Sequence, residues 1–261
     1  MYEKRRRNTP TVPAEEIEGQ LEGRNALTEA LRSGRTIDKV FIASGETDRA
    51  LQRLAAEAKE AGAVVVPVDR RKLDAMSFTH AHQGVITLAA AHEYATIDDI
   101  LEEAAQRGEN ALIVICDELT DPHNLGAIMR SAECAGAHGV IIPKRRSVGL
   151  TATVAKASAG AVEYMKVARV SNINNAIAEL KEKGVWIFGT AAEGSIPMYQ
   201  ADLTGPTAVV IGNEGVGMSP LVRKNCDVTV HIPMKGRISS LNASAAASIL
   251  LYEAVRQRLN G

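Results

Sequence analysis

The sequence predicts an α/β protein whose main sheet is mostly parallel and is covered by helices on both faces. From residue 110 onward, short apolar runs alternate regularly with helical segments, as in strand–helix–strand units. The chain has 261 residues, enough for one large domain or two ordinary ones. It is 46% hydrophobic and 23% charged, so it can bury a sizeable core without disulfides.

The first 92 residues predict a tail followed by a small α/β unit. Residues 1–16 are polar and basic and contain two prolines, which predicts a flexible tail. In residues 17–92, helices are predicted for "GRNALTEALRSG" and "DRALQRLAAEAKEAG", the second with Asp48 as N-cap and Gly62 at its end. Strands are predicted for "KVFIA", "AVVVPV" and "GVITLAA". This unit of roughly 75 residues has the usual size of a small domain.

Residues 93–109 predict a linker helix, and residues 110–261 predict the larger domain. The linker helix is expected between Asp98 and Gly108. The strands predicted in the larger domain are 111–116, 138–142, 185–189, 207–211 and 228–232. The helices predicted there lie near 124–135, 172–183 and 243–259. This repeated order of strand and helix indicates parallel pairing.

Cysteine usage and hydropathy argue against several classes of protein. Cys116, Cys134 and Cys226 are far apart and form no C-x-x-C pair, so neither a zinc site nor a disulfide framework is expected. Reduced thiols fit a cytoplasmic protein. No run of 18 apolar residues exists, and the first residues lack the apolar centre of a secretory signal. The scattered histidines predict no metal site.

The charge pattern gives no global signal for nucleic acid. The net charge is −1, although basic clusters occur at Lys4–Arg7, at Lys144–Arg146, and at Lys235 with Arg237. Each cluster taken alone is typical of a solvated surface. Aromatic residues make up only 3% of the chain, which disfavours modules that stack bases on aromatic platforms.

The segment "VVIGNEGVGM" places a glycine-rich turn directly after an apolar strand. Ligands of open α/β sheets bind beyond the carboxyl ends of strands, so this turn is a candidate ligand site. Its G-x-x-G-x-G order differs from the G-x-G-x-x-G of dinucleotide sites, and no Lys-Ser/Thr pair follows as in a phosphate loop. Glu214 would repel a diphosphate and suits a neutral or cationic ligand. An ordinary tight turn is an equally good interpretation of this segment alone.

Two further polar segments follow predicted strands. In "DPHNLGAIMR", Asp121 precedes the proline that opens a helix, and Asn124 is placed to orient Arg130. The planar fork of an arginine at a sheet mouth suits a phosphate, although a surface arginine is the favoured interpretation of this segment alone. In "SSLNASAAAS", Ser240 and Asn242 precede a helix rich in small residues, where helix capping is a strong alternative.

Together and in this order, the three segments resemble the signature motifs of the SpoU (TrmH-type) RNA ribose 2′-O-methyltransferases. The motifs are "DPHNLGAIMRSAECAGAHGVI", "VVIGNEGVGM" and "IPMKGRISSLNASAAASILLYEAV". "KASAGAVEYMKV" also looks like the family, and "EGRNALTEAL" and "HQGVIT" look like the small RNA-binding domain that precedes the catalytic domain in bacterial members. The resemblance covers residues 18–259 and is strongest to RlmB-like 23S rRNA guanosine 2′-O-methyltransferases.

The resemblance implies a cofactor and a set of site residues. The cofactor would be S-adenosyl-L-methionine, whose cationic sulfonium is compatible with a carboxylate in the turn. The implied cofactor-binding residues are Gly212, Ile232, Leu241, Asn213 and Gly217, with Thr190 and Ala191 as weaker candidates. The implied catalytic residues are Arg130, Asn124, Glu214, Ser240 and Asn242. Because arginine resists deprotonation, Arg130 is expected to hold a phosphate and stabilise the developing alkoxide.

The resemblance also implies a deep trefoil knot in the C-terminal domain and a homodimer in which both protomers contribute to each active site. Composition and periodicity show neither, and general fold rules disfavour knots.

The expected substrate is RNA, with 23S rRNA preferred over tRNA, and no membrane or metal partner is expected. Two other classes stay open. A nicotinamide-dependent oxidoreductase is disfavoured by the glycine spacing, and a non-catalytic RNA-binding homologue is disfavoured by the joint presence of all five catalytic residues.

Overall fold

The computed structural model describes residues 19–45, 48–191 and 195–260. The chain forms two compact units, the first ending at Ala89 and the second beginning at Ala90. The tail predicted for residues 1–16 lies outside the described residues. Within the described ranges, no helix is both long enough and apolar enough to cross a membrane.

The first unit contains a four-stranded mixed sheet. Its elements are β1 (Gln20–Glu22), α1 (Arg24–Arg32), β2 (Ile37–Ala43), α2 (Arg49–Glu60), β3 (Val64–Val68), α3 (Arg70–Met76) and β4 (Val85–Ala89). The strand order is β1-β4-β2-β3, with β2 parallel to β3 and antiparallel to β4. Side chains alternate between the faces of the sheet, so Val85 packs with α1 and α2 while Ile86 packs with α3.

Glu22 fixes the loop between α3 and β4. Its carboxylate accepts hydrogen bonds from Ser77 Oγ (2.7 Å), from the backbone N of Phe78 (2.9 Å), and from the backbone and hydroxyl of Thr79. A loop without its own backbone pairing needs such partners for its N–H groups. One carboxylate therefore supplies the hydrogen bonds that a helix or strand would have supplied.

The second unit contains a seven-stranded sheet with helices on both faces. Its elements are α4 (Ile97–Arg107), β5 (Leu112–Cys116), α5 (Pro122–Cys134), β6 (Gly139–Pro143), α6 (Ala152–Ala157), β7 (Lys166–Val170), α7 (Ile173–Glu182), β8 (Trp186–Thr190), β9 (Ile196–Pro197), β10 (Thr207–Ile211), α8 (Pro220–Asn225), β11 (Val228–His231) and α9 (Ala243–Asn260). Short 3-10 helices occur at Ala161–Glu163 and Met198–Gln200.

All six strand pairings of this sheet are parallel, and the strand order is β7-β6-β5-β10-β8-β11-β9. In chain order, β5, β6 and β7 lie successively further toward one edge of the sheet. The later strands, β8 to β11, form the other half. β10 lies between the two halves, paired with β5 on one side and β8 on the other. This change of direction is where open α/β sheets bind their ligands.

Both faces of this sheet are buried, as its near-continuous apolar strands predict. Leu112 and Val114 of β5 belong to a core that includes side chains of α5, α6 and α9. Ile113 and Ile115 belong to a second core that includes side chains of α4, α7 and α8. The prediction of a mostly parallel sheet covered on both faces is confirmed.

Helix α4, expected as a connection, packs within the second unit. Its N-cap is Thr96, which forms a capping box with Asp99, and its C-cap is the left-handed Gly108. Ile100 is fully buried in the second core. An added Cβ at Gly139 of β6 would lie 2.5 Å from the Ile100 side chain, so helix and strand pack closely.

The five strands and three helices predicted for the second half occur within two residues of their expected bounds. The elements that the sequence analysis missed are short or polar. Helices α6 and α8 have six residues each, and β9 has two, too few for a periodic pattern. β7 contains Lys166 and Arg169, which interrupt the apolar run of a buried strand.

Candidate active site

The candidate active site lies at the carboxyl edge of the seven-stranded sheet. Segment 117–121 follows β5, segment 212–219 follows β10, and segment 232–242 follows β11. Because the strands are parallel, their carboxyl ends meet at one edge, and the change of direction between β5 and β10 leaves a crevice there. The structure therefore brings together the three segments that the sequence analysis selected.

The glycine turn after β10 is closed by its own backbone. Asn213 and Gly217 exchange two backbone hydrogen bonds of 3.0 and 2.8 Å, and Asn213 Oδ1 accepts the N–H of Gly215 at 2.9 Å. An added Cβ at Gly212 would lie 2.3 Å from the carbonyl carbon of Gly217, whose own φ is 70°. Closure of the turn therefore requires glycine at both positions, whatever the turn binds.

One carboxylate oxygen of Glu214 connects the glycine turn to two helix starts. Glu214 Oε1 accepts hydrogen bonds from Asn124 Nδ2 (2.9 Å), Asn242 Nδ2 (2.6 Å) and the backbone N of Ala243 (3.2 Å). Asn242 Nδ2 also donates to Asn124 Oδ1 at 2.8 Å. Asn124 lies in the first turn of α5 and Ala243 begins α9, so the positive ends of both helix dipoles favour the carboxylate. We call these four residues the Glu214 network.

Arg130 lies on the exposed face of α5, apart from the Glu214 network. It follows Asn124 by six residues, which is about 9 Å along the helix axis. Asn124 is buried, and its amide oxygen and nitrogen bond to Asn242 and Glu214. The expected orientation of Arg130 by Asn124 was therefore wrong. Among the described residues, the Arg130 side chain has no hydrogen bond or ion pair.

A cavity of about 600 Å³ opens between the ends of β8 and β11 and helix α9. This volume is in the usual range for a small-molecule site. Four of the seven expected cofactor positions line it, together with one expected catalytic residue: Thr190, Ala191, Ile232, Leu241 and Ser240. Gly212, Asn213 and Gly217 instead form the glycine turn. Thr190 Oγ1 donates a 3.0 Å hydrogen bond to Val210 O in β10, the strand that leads into that turn.

Several residues at the site were missed by sequence reasoning. Met234, Arg237 and Ile238 line the cavity. They lie within the third motif, but the sequence analysis did not name them as site residues. Asp117 and Glu118 hold segment 212–219 to the end of β5. Asp117 Oδ2 accepts the N–H of Ser219 at 2.7 Å, and Glu118 O accepts Asn213 Nδ2 at 3.2 Å. Two acidic residues directly after a buried strand were the signal that could have revealed them.

The thiol at the end of β5 does not serve as a nucleophile. Burial raises the pKa of Cys116 to about 12, and the neighbouring charge of Asp117 acts in the same direction. The thiol therefore stays protonated at neutral pH. Across the residues that the structure describes, no group of three or more His, Cys, Asp or Glu side chains is arranged to hold a metal ion.

Two family models match this chain. The model of the SpoU rRNA methylase family matches residues 111–252, which include all three segments of the site. The model for RNA 2′-O ribose methyltransferase substrate binding matches residues 20–95.

Relatives from bacteria match nearly the whole chain. YacO of Bacillus subtilis, assigned to the TrmH family of tRNA/rRNA methyltransferases, is 47% identical over 90% of this chain and 94% of its own length. A protein of the same family from Staphylococcus haemolyticus is 45% identical over the same shares.

Two solved structures that are similar to this chain contain AdoMet, S-adenosylmethionine. The SpoU methyltransferase AviRb from Streptomyces viridochromogenes, in complex with the cofactor AdoMet, matches with a TM-score of 0.60 and 27% identity over 93% of this chain and 91% of its own. An AdoMet-bound rRNA methyltransferase from Sinorhizobium meliloti matches with a TM-score of 0.58 and 26% identity over 91% and 86%. The family uses S-adenosylmethionine as its cofactor. With both units matched and the three segments joined at one edge, the chain belongs to the SpoU rRNA methylase family of RNA 2′-O-ribose methyltransferases.

Proposed function

We propose that this chain methylates the ribose 2′-hydroxyl of a guanosine in 23S rRNA, with S-adenosyl-L-methionine as methyl donor. The Glu214 network carries the proposal. It joins the glycine turn to the starts of α5 and α9 beside a cavity of suitable volume. The preference for 23S rRNA over tRNA rests on the resemblance of the whole chain, including its first unit, to RlmB-like enzymes.

The cavity fits the proposed cofactor in size and chemistry. Ile232 and Leu241 offer apolar surface for an adenine ring, and the hydroxyls of Thr190 and Ser240 offer hydrogen-bond partners for polar groups. The carboxylate of Glu214 in the adjoining turn favours a cationic ligand over a diphosphate. When bound, the cofactor supplies an activated methyl group on a positively charged sulfur.

We assign the chain's own chemistry to positioning and charge stabilisation. Arg130 is exposed on α5, and its planar guanidinium suits the phosphate beside the target ribose. The same charge stabilises the alkoxide that develops as the hydroxyl loses its proton. Asn124, Glu214 and Asn242 hold the three segments in register, and Ser240 shapes the cavity wall toward the ribose. Orientation of a weak nucleophile in this way lowers the barrier to its attack.

The proposal includes a homodimer, a trefoil knot and a cytoplasmic location. The side chains of Tyr252 on α9 and Ile238 at the cavity rim are 51% and 75% exposed, and a second copy would cover such apolar surface. The knot is supported by the insertion of β10 between β5 and β8 and by the return of α9 onto α5, where the hydroxyls of Ser131 and Ser248 lie 2.7 Å apart. The cytoplasmic location follows from the proposed substrate, because the enzyme must be in the same compartment as the rRNA that it methylates.

Transfer of a tritiated methyl group to total RNA tests the proposed substrate. The RNA should come from cells that lack this enzyme, so that the target position is unmodified. We expect label in 23S rRNA, mapped by nuclease digestion and mass spectrometry to one 2′-O-methylguanosine. Label in tRNA would overturn the choice of rRNA. Binding of the cofactor without transfer to any RNA would overturn catalysis.

The role of Arg130 is tested by two substitutions. Arg130→Ala should lower the rate of methyl transfer by roughly 100- to 1,000-fold, as for loss of one transition-state stabilising group, while cofactor affinity stays near wild type. Arg130→Lys should be nearly as damaging, because a point charge does not replace a planar fork. Arg107→Ala is the matched control, because Arg107 lies on α4, which packs on the opposite face of the sheet from α5. Transfer by Arg130→Ala within a few-fold of this control would contradict the assignment.

A further inference from the structure

A basic loop follows β6 at the same edge of the sheet as the active site. We define the basic loop as Lys144–Arg146; its first residue is partly buried and the other two are exposed. β6 pairs with β5 in parallel, so the loop emerges beside the segment that leads into α5. The Glu214 network and the cavity do not involve these three cations.

Hydrogen bonds at both ends hold the basic loop in one conformation. The backbone N of Lys144 donates to Val170 O at 2.7 Å. Immediately after the loop, the buried hydroxyl of Ser147 and the backbone N of Val148 both donate to Leu119 O, each at 2.9 Å. A loop fixed in this way presents its charged side chains with little ordering left to be done on binding.

The segment that holds the basic loop also holds the glycine turn. Glu118 O accepts Asn213 Nδ2 at 3.2 Å, next in sequence to the carbonyl of Leu119 that anchors the loop. The carboxylate of Glu118 pairs with Arg146 at 3.0 Å, but the Arg146 side chain is 79% exposed. Exposed ion pairs are weak, so Arg146 can exchange Glu118 for a stronger anion. The loop and the glycine turn are therefore parts of one rigid edge.

We propose that the basic loop binds phosphates of the RNA backbone next to the target nucleotide, with Lys144 and Arg145 as the main contacts. The inference rests on the proposed RNA substrate. The loop carries three cations, of which Arg146 alone pairs with the carboxylate of Glu118, so the loop keeps an excess of positive charge beside the site. The sequence of the loop, KRR, contains no aromatic side chain, so it offers charge to phosphates rather than stacking to bases. Such contacts position the RNA without reading its sequence.

The double substitution Lys144→Ala/Arg145→Ala tests this inference in the full-length chain, with 23S rRNA transcribed in vitro as the probe. We expect RNA affinity and KM to worsen by about tenfold, and the magnitude of the slope of log affinity against log salt to fall by about 1.4 to 1.8, as for two lost phosphate contacts. The rate at saturating RNA should stay near wild type. Cofactor affinity measured by calorimetry should be unchanged, which also reports that the site is folded.

Two further variants sharpen the test. Arg223→Ala/Lys224→Ala removes two exposed cations from the end of α8, which lies toward the amino ends of the strands, and should leave RNA affinity unchanged. Lys144→Arg/Arg145→Lys keeps the charge and should keep the salt slope. An alanine variant whose KM and slope equal those of the α8 control overturns the inference while wild-type methylation still stands. If the wild type transfers no methyl group to RNA, the inference fails together with the proposed function.

Discussion

At the scale of the residue, Glu22 shows how far a few hydrogen bonds shift a carboxyl group. Burial acts to raise the pKa of Glu22, but hydrogen bonds from Thr79, Ser77, Phe78 and Gln20 outweigh burial and lower the pKa from 4.5 to about 2. A carboxylate with a lowered folded pKa contributes stability above its unfolded pKa. That contribution is lost as pH falls through the folded pKa.

We predict that Glu22→Gln destabilises the first unit at neutral pH by roughly 1–3 kcal/mol, because charge-assisted hydrogen bonds are lost. Partial solvent screening keeps the loss below the full value of the pKa shift. The difference from wild type should be constant above pH 5 and should shrink between the pKa values of 4.5 and about 2. Amide hydrogen exchange of residues 77–89 measures the first unit, and Trp186, the one tryptophan, reports the second unit as a control. A difference as large at pH 3 as at pH 7 would contradict this account.

Contacts between individual side chains also show what could not be predicted from the sequence. Glu214 and Asn124 were both selected as site residues through a family resemblance, but their direct contact joins positions 90 apart in the chain. Periodicity and turn chemistry describe neighbours in sequence and contain no information on such a pair. For the same reason, Asn124 was assigned to the nearby Arg130, which it does not contact. The choice among possible polar partners is made by tertiary packing.

At the scale of the element, α5 depends on a close contact with α6. The strands and longer helices were predictable because their apolar spacing repeats over enough residues. Helix α6 was not predicted, so its contact with α5 was not predicted either. An added Cβ at Gly126 of α5 would lie 2.5 Å from Ala157 Cβ and 2.8 Å from Val154 O. Val154 O is a backbone atom, which has little room to move.

Gly126→Ala should therefore destabilise the second unit, although alanine favours a helix by about 1 kcal/mol over glycine. Overpacking against backbone costs about 1–3 kcal/mol or more, so we expect a net loss of about 1–2 kcal/mol. Methyl transfer should also fall, since a shift of α5 displaces Asn124 from Glu214. Urea unfolding and single-turnover transfer measure the two effects. Gly205→Ala, where the added Cβ meets no atom within 4 Å, is the control and should be neutral.

At the scale of the whole molecule, the two units suggest a division of labour. Every expected site residue lies between Asn124 and Asn242, within the second unit. The first unit matches the substrate-binding model. We propose that the first unit, expected at residues 17–92, forms a separate RNA-binding domain. The contacts place residues 90–92 with the second unit, since Ala91 N donates to Leu150 O at 2.8 Å.

A chain of residues 90–261 should therefore fold and bind S-adenosylmethionine with wild-type affinity. It should bind RNA more weakly and with a shallower salt dependence, because phosphate contacts outside the active site are lost. Calorimetry with the cofactor and filter binding with 23S rRNA between 50 and 200 mM salt measure the two properties. Full RNA affinity with an unchanged slope would show that the first unit is not an RNA-binding module.

The place of β10 in the sheet has a consequence during translation. β5 ends at Cys116 and β10 begins at Thr207, so 90 residues must be synthesised before that edge of β5 can gain its partner. At about 5–20 residues per second, the wait lasts roughly 5–20 s. During this time the Leu-Ile-Val-Ile-Cys strand presents an apolar open edge, a template for pairing with other nascent chains. We therefore expect the yield of folded enzyme to depend on ribosome speed and on chaperones that cover this edge, independently of how stable the finished fold is.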